Sequence, residues 1–444
     1  MPRDSFPLQP SFSARLPAWR LALSGLALAL ALGLGVLASA LAAAPQPEIE
    51  IGSWWVSEGE VASLAVIRRH VEAQGLRWRQ RTVAGSGTRR YGDVLRQWVA
   101  QGRAPVASQA IGYDIRDWAR QGKLVILDDV AKAEEWDEVV PHGIQRLSKY
   151  EGHWVAAPIN AHSTNWLWIN RAQFLRLGLS VPDTWDDLLR LLRRAQQAGL
   201  IPLAMGGAPW EHTLLFEAVA AGLGGAEFYR RAFLELDPEA LNGPLPEQIF
   251  ARMSVLRGFL DPGFRTRSWD EATRLVRRGR ALLQVQGSWV AGEFRFRNWR
   301  AGEDFECLRF PDTQGMFLFN SDQYILFKAA AADAKTRARF VSTLMRSDLQ
   351  AELNIATGAA PARVDVPREA FDHCGRQAIS DLRGANMRRT LMGSIAMGNA
   401  NPGPVKEAIY LVVHDHLLGR TSDAEAARRL RQAIAQAHLS ERSP

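Results

Sequence analysis

The first regular element of this chain begins in the stretch Ile49-Glu50-Ile51-Gly52-Ser53-Trp54-Trp55. Apolar residues alternate with polar or small ones across its first half, which predicts a short strand with one buried face. The strand ends in two adjacent indoles, and the polar turn Ser57-Glu58-Gly59-Glu60 leads into a predicted helix over residues 60–73. The stretch therefore predicts the first strand and helix of an α/β unit.

The same alternation of elements continues after this helix. Strands are predicted over residues 76–83 and 104–110, and a helix over residues 91–101 lies between them. The resulting βαβα order is typical of a mostly parallel sheet covered by helices.

A second, helix-rich unit follows the strands predicted over residues 154–158 and 165–169. Two capping boxes mark helix starts, Thr184 with Asp187 and Ser268 with Glu271. Further elements are predicted as strands over 201–205, 281–286, 316–319 and 323–327, as helices over 216–221 and 228–233, and as mostly helical structure in the C-terminal third.

Length and composition indicate a globular protein with two domains. The chain has 444 residues, of which 47% are hydrophobic and 23% charged. The formal net charge of +7 is spread along the chain without long blocks of Lys and Arg. Nucleic acid is therefore not an expected partner.

The N-terminus has the pattern of a signal peptide. Arg15 and Arg20 precede an apolar run over residues 21–44, which ends in small residues of the Ala-x-Ala type. We predict that residues 1–44 form a cleaved signal peptide and that the mature protein is exported. The run is also long enough to span a bilayer, so an uncleaved anchor is the alternative.

The chain contains two cysteines, Cys307 and Cys374. Both lie in polar, loop-like contexts, and two cysteines of an exported chain can pair once in an oxidising compartment. This favours one disulfide over two free thiols. A metal site is not expected, because the histidines are scattered and no other cysteine is present.

No constellation of residues indicates an enzyme. The chain lacks a phosphate-binding loop, an H-E-x-x-H motif and a G-x-S-x-G motif, and the glycines at 85 and 87 lack the third glycine of a dinucleotide fingerprint. Glu293 is a carboxylate without a recognisable catalytic partner. We therefore expect neither catalytic residues nor a cofactor.

The tryptophans are the strongest functional signal. Fifteen Trp stand against six Tyr, and several lie at predicted element ends, namely Trp54, Trp55, Trp166, Trp168, Trp210, Trp269 and Trp289. Each one can pack in a core, or it can stack on a flat ligand such as a sugar ring. Polar side chains stand at predicted strand-to-loop junctions: Glu60, Gln109, Asn165 and Asp322. Each of these can be a helix cap or turn residue, but together with the indoles they describe a polar, aromatic cleft.

These motifs, in this order, resemble a known family. The segments that carry the resemblance are Ser53-Trp54-Trp55 with Gly59-Glu60, Asn165-Trp166-Leu167-Trp168-Ile169-Asn170, Gly206-Gly207-Ala208-Pro209-Trp210, Ser268-Trp269-Asp270-Glu271, Gly287-Ser288-Trp289 and Asn320-Ser321-Asp322. The chain is similar over nearly its whole mature length to periplasmic solute-binding proteins of ABC sugar importers, in the glucose/mannose-type branch of the maltose-binding superfamily.

The resemblance implies an α/β, two-lobe periplasmic-binding-protein (Venus flytrap) fold with a hinge. Lobe 1 would comprise residues 45–160 and 316–365, and the helix-rich lobe 2 would comprise residues 161–315 and 366–444. The implied function is a periplasmic receptor that binds a carbohydrate-like small molecule between the lobes and delivers it to membrane permease subunits. The alternative is a periplasmic sensor or interaction protein on the same scaffold, without a transport role and tethered by its leader.

The resemblance also assigns residues to the site. Trp54, Trp55 and Glu60 match the first binding loop, Gln109 and Asp322 match hydroxyl-binding positions, and Trp289 matches a tryptophan that faces the cleft. Asn165 and Trp210 complete the expected ligand-binding set. Cys307 and Cys374 match a cysteine pair of this branch.

Three positions depart from the family pattern. Ile111 and Thr357 stand where the pattern has Lys, and Met397 stands where it has His. The loss of one buried hydrogen-bonding partner costs about 1–3 kcal/mol. We therefore expect the protein to bind glucose weakly or not at all, and to favour a less polar solute.

Overall fold

The computed structural model describes residues 46–84, 88–178 and 180–442. The signal peptide predicted over residues 1–44 lies outside these ranges. Across the described part of the chain, no helix combines the length and apolar character that a membrane crossing requires.

Strands and helices alternate along the chain. The strands of the described residues are β1 Glu48–Ser53, β2 Arg77–Thr82, β3 Ala107–Ile111, β4 Lys149–Tyr150, β5 His153–Trp154, β6 Ala156–Pro158, β7 His162–Ser163, β8 Trp166–Asn170, β9 Ile201–Ala204, β10 Ala281–Gln286, β11 Phe305–Arg309, β12 Phe317–Asn320, β13 Asp322–Leu326 and β14 Leu391–Gly393. The α-helices are α1 Glu58–Ala73, α2 Thr88–Ala100, α3 Gly112–Arg120, α4 Asp128–Ala133, α5 Trp136–Val139, α6 His142–Ser148, α7 Arg171–Leu177, α8 Trp185–Gln197, α9 Pro209–Tyr229, α10 Leu245–Arg257, α11 Trp269–Arg277, α12 Val290–Phe296, α13 Ala334–Met345, α14 Ser347–Thr357, α15 His373–Arg388, α16 Gly403–Leu417 and α17 Asp423–Arg442. Shorter helical segments span Arg230–Leu234, Pro238–Leu241 and Pro262–Thr266.

The first lobe is built on a five-stranded sheet in the order β2-β1-β3-β13-β6. Strand β1 is parallel to β2 and β3, whereas β13 is antiparallel to β3 and β6. The predicted mostly parallel sheet is therefore mixed. The reason is that β13 belongs to a segment that returns from the second lobe and enters this sheet in the opposite direction.

The second lobe is built on a four-stranded sheet in the order β11-β8-β10-β9. Strands β10 and β9 are parallel, and the other two pairings are antiparallel. The sequence placed Cys307 in a loop, but it lies in the edge strand β11 beside the buried Phe305. The polar residues Asp304 and Glu306 flank the buried Phe305 in the sequence, and this polar context favoured a loop.

The chain passes between the two lobes three times. It leaves the first sheet after β6, returns to it at β13, and leaves lobe 1 again after α14 for the C-terminal helices α16 and α17, which pack on α9 and α10. A three-stranded sheet, β14-β12-β7, is formed by the segments near these crossings. This is the predicted two-lobe α/β fold, and the residue boundaries predicted for the lobes stay a prediction.

Local capping signals fix the starts of several helices. Ser57, Thr184 and Ser268 each form a capping box with the residue three positions on. The helices predicted over 216–221 and 228–233 belong to the single helix α9 and the helical turn after it. Gly225, with a φ of +73°, interrupts α9 between them, a conformation that favours glycine.

The predicted disulfide is confirmed. Cys307 in β11 is bonded to Cys374 in the first turn of α15, and 67 positions of sequence separate the two residues. The bond therefore ties the edge of the second sheet to the helix that follows the third crossing.

Removal of this disulfide should lower the free energy of unfolding. The double substitution Cys307→Ser with Cys374→Ser should cost up to about 4 kcal/mol, because the bond closes a long loop in the unfolded chain. Urea unfolding measures the change, with reduced wild-type protein as the control. A double variant as stable as the oxidised wild type, or two free thiols in non-reduced peptides of the exported protein, would contradict the expectation.

Candidate ligand-binding site

A cavity of about 460 Å³ lies between the two lobes. The first lobe contributes Trp54, Trp55 and Glu60 to its wall, and the second lobe contributes Trp210 and Trp289. Aromatic planes from both lobes therefore face one space. This volume suits a small organic ligand.

The indoles of the cavity are held by other rings. Trp210 and Trp289 lie with their ring centroids 6.1 Å apart, and His162 packs edge-on against Trp289 at 5.3 Å. On the opposite wall, the ring of Trp54 lies 5.4 Å from that of Tyr91. Such contacts fix the ring planes before a ligand arrives.

Trp166 and Trp168 have a different role from the cavity indoles. They stack on each other at 5.7 Å within β8 and are buried. The indole nitrogen of Trp168 donates to the carbonyl of Gln286. These two residues pack the core between the sheet and its helices and do not line the cavity.

Asp322 is the central polar group of the cavity wall. Its Oδ1 accepts a hydrogen bond from Gln109 Nε2 at 2.8 Å, and its Oδ2 accepts one from Asn160 Nδ2 at 2.9 Å. His162 Nε2 lies 3.4 Å from the same Oδ2. The carboxylate is therefore oriented by residues from β3 and from the first crossing segment.

The hydrogen-bond network of Asp322 reaches both lobes. Gln109 Oε1 accepts from Ser53 Oγ at 2.8 Å, and this hydroxyl in turn accepts from the backbone N–H of Trp55 at 3.1 Å. On the other side, His162 Nδ1 lies 2.8 Å from Ser288 Oγ. The network thus connects the residues beside the two tryptophan walls.

Glu60 is at once a helix cap and a cavity residue. Its Oε2 accepts from the backbone N–H groups of Val56 and Ser57, each at 2.9 Å. Burial raises the pKa of this carboxyl to about 7, against the lowering effect of those hydrogen bonds. Glu60 therefore holds the turn after Trp55 in place.

Two residues of the expected set do not line the cavity. Gln109 stands behind Asp322 and orients it. Asn165 is buried in the crossing region, where Nδ2 donates to Thr313 Oγ1 at 2.9 Å and Oδ1 accepts from the N–H of Leu318. The other six members, Trp54, Trp55, Glu60, Trp210, Trp289 and Asp322, all line it.

The three positions that depart from the family pattern all lie in the cavity wall. Ile111 and Met397 present apolar side chains to it. The hydroxyl of Thr357 is 3.4 Å from Asn354 Oδ1 and accepts from the N–H of Ala359. None of the three therefore supplies a cation or an imidazole to the cavity.

Several cavity residues lie outside the ligand-binding set expected from the sequence. They are Arg89, His162, Trp269, Asp270, Asn320, Lys406 and Tyr410. The sequence does point to Trp269, since this tryptophan stands at the capped start of α11 in the segment Ser268-Trp269-Asp270-Glu271. It does not point to Lys406 or Tyr410, because they reach the site on a C-terminal helix whose path the sequence does not specify.

Buried carboxylates support the cavity from behind. Glu217 accepts from Thr164 Oγ1 at 2.6 Å, from Ser394 Oγ at 2.7 Å and from the N–H of Ala396 at 3.0 Å. Desolvation raises the pKa of Glu217 to about 6, even though these hydrogen bonds favour its charged form. The residue holds the segment that brings Ala396 and Met397 to the cavity.

Glu211 supports the second aromatic wall. Its Oε2 accepts from the N–H of Gly206 at 3.0 Å, and its Oε1 finds no partner among the described residues. Burial raises the pKa of Glu211 to about 8. The carboxyl braces the turn that carries Pro209 and Trp210 into the cavity.

The lobes touch through glycines on two sides of the cavity. The N–H of Gly59 donates to Glu293 Oε1 at 2.9 Å, and a Cβ on Gly59 would lie 2.6 Å from the carbonyl carbon of Gly292. On the other side, the N–H of Tyr113 donates to the carbonyl of Gly398 at 2.9 Å, and Gly112 approaches the same carbonyl. Larger residues at these glycines would separate the lobes.

Metal-ligating residues converge at one place in the described part of the chain. Cys307, His373 and Cys374 lie close together, but both sulfurs are committed to the disulfide. This group lies apart from the cavity.

Comparison with known proteins identifies relatives along most of the chain. A sequence model of the bacterial extracellular solute-binding proteins matches residues 82–350. A probable sugar-binding periplasmic protein of Brucella suis biovar 1 is 44% identical over 386 residues, which cover 87% of this chain and 91% of that protein. A probable sugar-binding periplasmic protein of Rhizobium meliloti is also 44% identical over 386 residues, with coverage of 87% and 93%.

Solved structures share the fold at much lower identity. The bacterial solute receptor AcbH, which has an exclusive substrate preference for β-D-galactopyranose, superimposes with a TM-score of 0.75 and 17% identity. The match covers 89% of this chain and 100% of that receptor. This likeness shows the two-lobe fold.

Stability should fall with rising pH because of Glu211. Its folded pKa of about 8 exceeds the value of about 4.3 of an unfolded chain. Its contribution to folding is therefore complete below pH of about 4 and is lost as the pH rises through about 8. Glu211→Gln should lose less stability between pH 5 and pH 9 than the wild type.

Thermal unfolding at several pH values measures this difference. Each unit of separation between the folded and unfolded pKa corresponds to about 1.4 kcal/mol. Glu247→Gln, at an exposed position of α10, is the matched control and should follow the wild type. Parallel curves for wild type and Glu211→Gln would refute the assignment.

Proposed function

The chain belongs to the family of bacterial extracellular solute-binding proteins, and from this membership we propose that it is the periplasmic receptor of an ABC importer. In this role it binds a carbohydrate-like small molecule between its lobes and delivers it to the membrane permease subunits. The names of its relatives in Brucella suis and Rhizobium meliloti, probable sugar-binding periplasmic proteins, support this proposal.

The observation that carries the proposal is the wall of the cavity. Indoles from both lobes face a space of about 460 Å³, and a carboxylate, Asp322, stands between them with its partners already in place. A sugar ring offers an apolar C–H face for stacking and a rim of hydroxyls for hydrogen bonds. In the cavity, the indoles match the C–H face of a sugar, and Asp322 matches its hydroxyls.

We propose a binding role without catalysis. Among the described residues, one arrangement resembles a Ser-His-Asp catalytic triad, because His162 lies between Asp322 and Ser288. A serine nucleophile must reach its substrate, but Ser288 is fully buried and does not line the cavity. We infer that Asp322, His162 and Ser288 have a structural role, in which their contacts connect the two sides of the cleft at its base.

The proposed location is the periplasm, with the leader over residues 1–44 removed. The relatives named as periplasmic support this location, and the leader lies outside the described residues. N-terminal sequencing of the exported protein separates this proposal from the tethered sensor. A mature protein that begins near residue 45 supports a released receptor, and an intact N-terminus supports the alternative.

A ligand screen tests the binding function. Thermal shift against monosaccharides, disaccharides, sugar acids and polyols should reveal at least one carbohydrate that stabilises the protein. Glucose should bind with a dissociation constant weaker than 1 μM, which corresponds to about −8 kcal/mol. Calorimetry measures the dissociation constants of that carbohydrate and of glucose. Micromolar or tighter glucose binding would show that the substitutions at Ile111, Thr357 and Met397 do not weaken glucose binding.

Aromatic variants identify where the ligand found in that screen binds. Trp289→Ala should weaken its binding at least about fivefold, because a stacking contact contributes about 1 kcal/mol. Trp185→Ala is the matched control, since this tryptophan is half-buried at the start of α8 and lies outside the cavity. Equal effects of the two substitutions would place the ligand elsewhere.

Lobe closure should depend on Gly59. Gly59→Ala places a methyl group against Gly292 and Glu293 of the other lobe, so it should disfavour the closed form and weaken ligand binding about tenfold or more, which is about 1.4 kcal/mol. Gly92→Ala, a helical glycine whose added Cβ would meet the guanidinium of Arg96 at an ordinary contact distance of 3.5 Å, should bind like the wild type. If Gly59→Ala binds normally, the contact is not part of closure.

A further inference from the structure

We propose that Lys406 forms a carboxylate-binding subsite of the cavity, so that the preferred solute is an acidic sugar rather than a neutral one. This inference rests on the proposed function and names the class of ligand. It concerns a residue that none of the sequence motifs includes.

Lys406 is a buried cation that faces the ligand space. Its side chain lines the cavity, and the residue is 8% exposed. Its ammonium makes no hydrogen bond or ion pair with any described residue. Its Nζ lies over the ring of Tyr410, 5.9 Å from the ring centroid. An ammonium that is removed from water without an anionic partner is costly.

The position of Lys406 on its helix adds to this cost. It is the fourth residue of α16, which begins at Gly403. The N-terminus of a helix carries a partial positive charge that favours anions and disfavours cations. Nothing in the helix itself therefore stabilises a lysine at this point.

The carboxylates of the cavity wall are already engaged. Asp322 accepts from Gln109 and Asn160, and Glu60 accepts from two backbone N–H groups. Glu407, the neighbour of Lys406 in the chain, pairs with Arg89 at 3.3 Å. Asp270 pairs with the guanidinium of Arg274. The buried ammonium of Lys406 is therefore left for an anion that the ligand brings.

Gly398 packs beside the ammonium of Lys406, and a Cβ at that glycine would stand 3.3 Å from Nζ. A larger residue at position 398 would therefore crowd the ammonium. Met397 and Ile111 make the adjacent wall apolar. The cavity therefore lacks the two Lys and the His of the family pattern at positions 111, 357 and 397, while Lys406 provides a cation at another place in the wall.

A singly charged carboxylate fits this arrangement better than a phosphate. One ammonium neutralises one negative charge, and the carboxylates of Asp270, Asp322 and Glu407 around the same cavity repel a dianion more strongly than a monoanion. A sugar ring with one carboxylate can stack on the indoles and place its charge at Lys406. This is the chemistry of a uronic acid.

Matched sugar pairs test the inference. Glucuronate with glucose, and galacturonate with galactose, differ only in a carboxylate or a hydroxymethyl group at one carbon. Calorimetry on the wild-type protein should give at least tenfold tighter binding of the acid in one pair. Lys406→Met should weaken binding of that acid at least tenfold and should change binding of its neutral partner by less than threefold.

Two further variants complete the experiment. Lys406→Arg keeps the charge and should retain acid binding better than Lys406→Met. Lys335→Met, at an exposed position of α13, is the matched control and should bind like the wild type. Thermal unfolding without ligand verifies that all variants fold, and a more stable Lys406→Met variant would agree with an unpaired cation in the free protein.

The outcomes separate this inference from the proposed function. If neutral sugars bind as tightly as the acids, or if Lys406→Met weakens both members of a pair equally, the carboxylate subsite is wrong while carbohydrate binding stands. If no carbohydrate of the screen binds at all, the proposed function fails, and the inference fails with it.

Discussion

At the start of β13, the chain returns from the second lobe and places the carboxylate of Asp322 opposite the end of β3. Gln109 and Asn160 both donate to this buried group, and its own N–H donates to Asn160. Removal of the carboxylate would leave the buried Nε2 of Gln109 without its acceptor, which is more costly than the loss of the bond itself. The carboxylate therefore orders the base of the cleft, where it joins strands of separate origin in the chain.

The aromatic walls depend on this base and on buried carboxylates behind them. Ser53 connects the Asp322 network to the backbone of Trp55. His162 connects it to Ser288, the residue before Trp289. Glu211 and Glu217 brace the turns that carry Trp210 and the segment around Ala396. The indoles are thus positioned by hydrogen bonds to backbone groups, and their planes are fixed by ring contacts. A preformed surface of this kind loses little entropy when a flat ligand binds.

The two lobes meet where side chains are absent. Gly59 and Gly292 approach on one side of the cleft, and Gly112 and Gly398 approach on the other. The N–H of Gly59 then donates to the carboxylate of Glu293 on one side, and the N–H of Tyr113 donates to the carbonyl of Gly398 on the other. Between these contacts, the cavity combines apolar surface, engaged carboxylates and the buried ammonium of Lys406. Its selectivity is expected to follow from this uneven distribution of charge.

The local sequence determined those strands and helices that are specified by neighbouring residues. Alternation over residues 49–54 and the capping pairs at Thr184 and Ser268 specified strands and helices that the structure contains, because these patterns act within one turn or one pleat. The two cysteines specified their pairing, since each has one possible partner. The order of motifs specified the two-lobe family. The tryptophans that end the first strand, Trp54 and Trp55, could be recognised because they follow it directly.

Tertiary structure alone decided the direction of β13, the strand around Cys307 and the full composition of the cavity. Sheet direction depends on where a returning segment enters, and an edge strand with polar neighbours has no clear alternation. Gln109 and Asn165 have the same polar character as Asp322 in sequence, but burial behind the wall gives them supporting roles. Lys406 lies more than 300 positions from Trp54 in the chain. Only packing of the C-terminal helices brings it into the site, because contacts between distant segments leave no local pattern in the sequence.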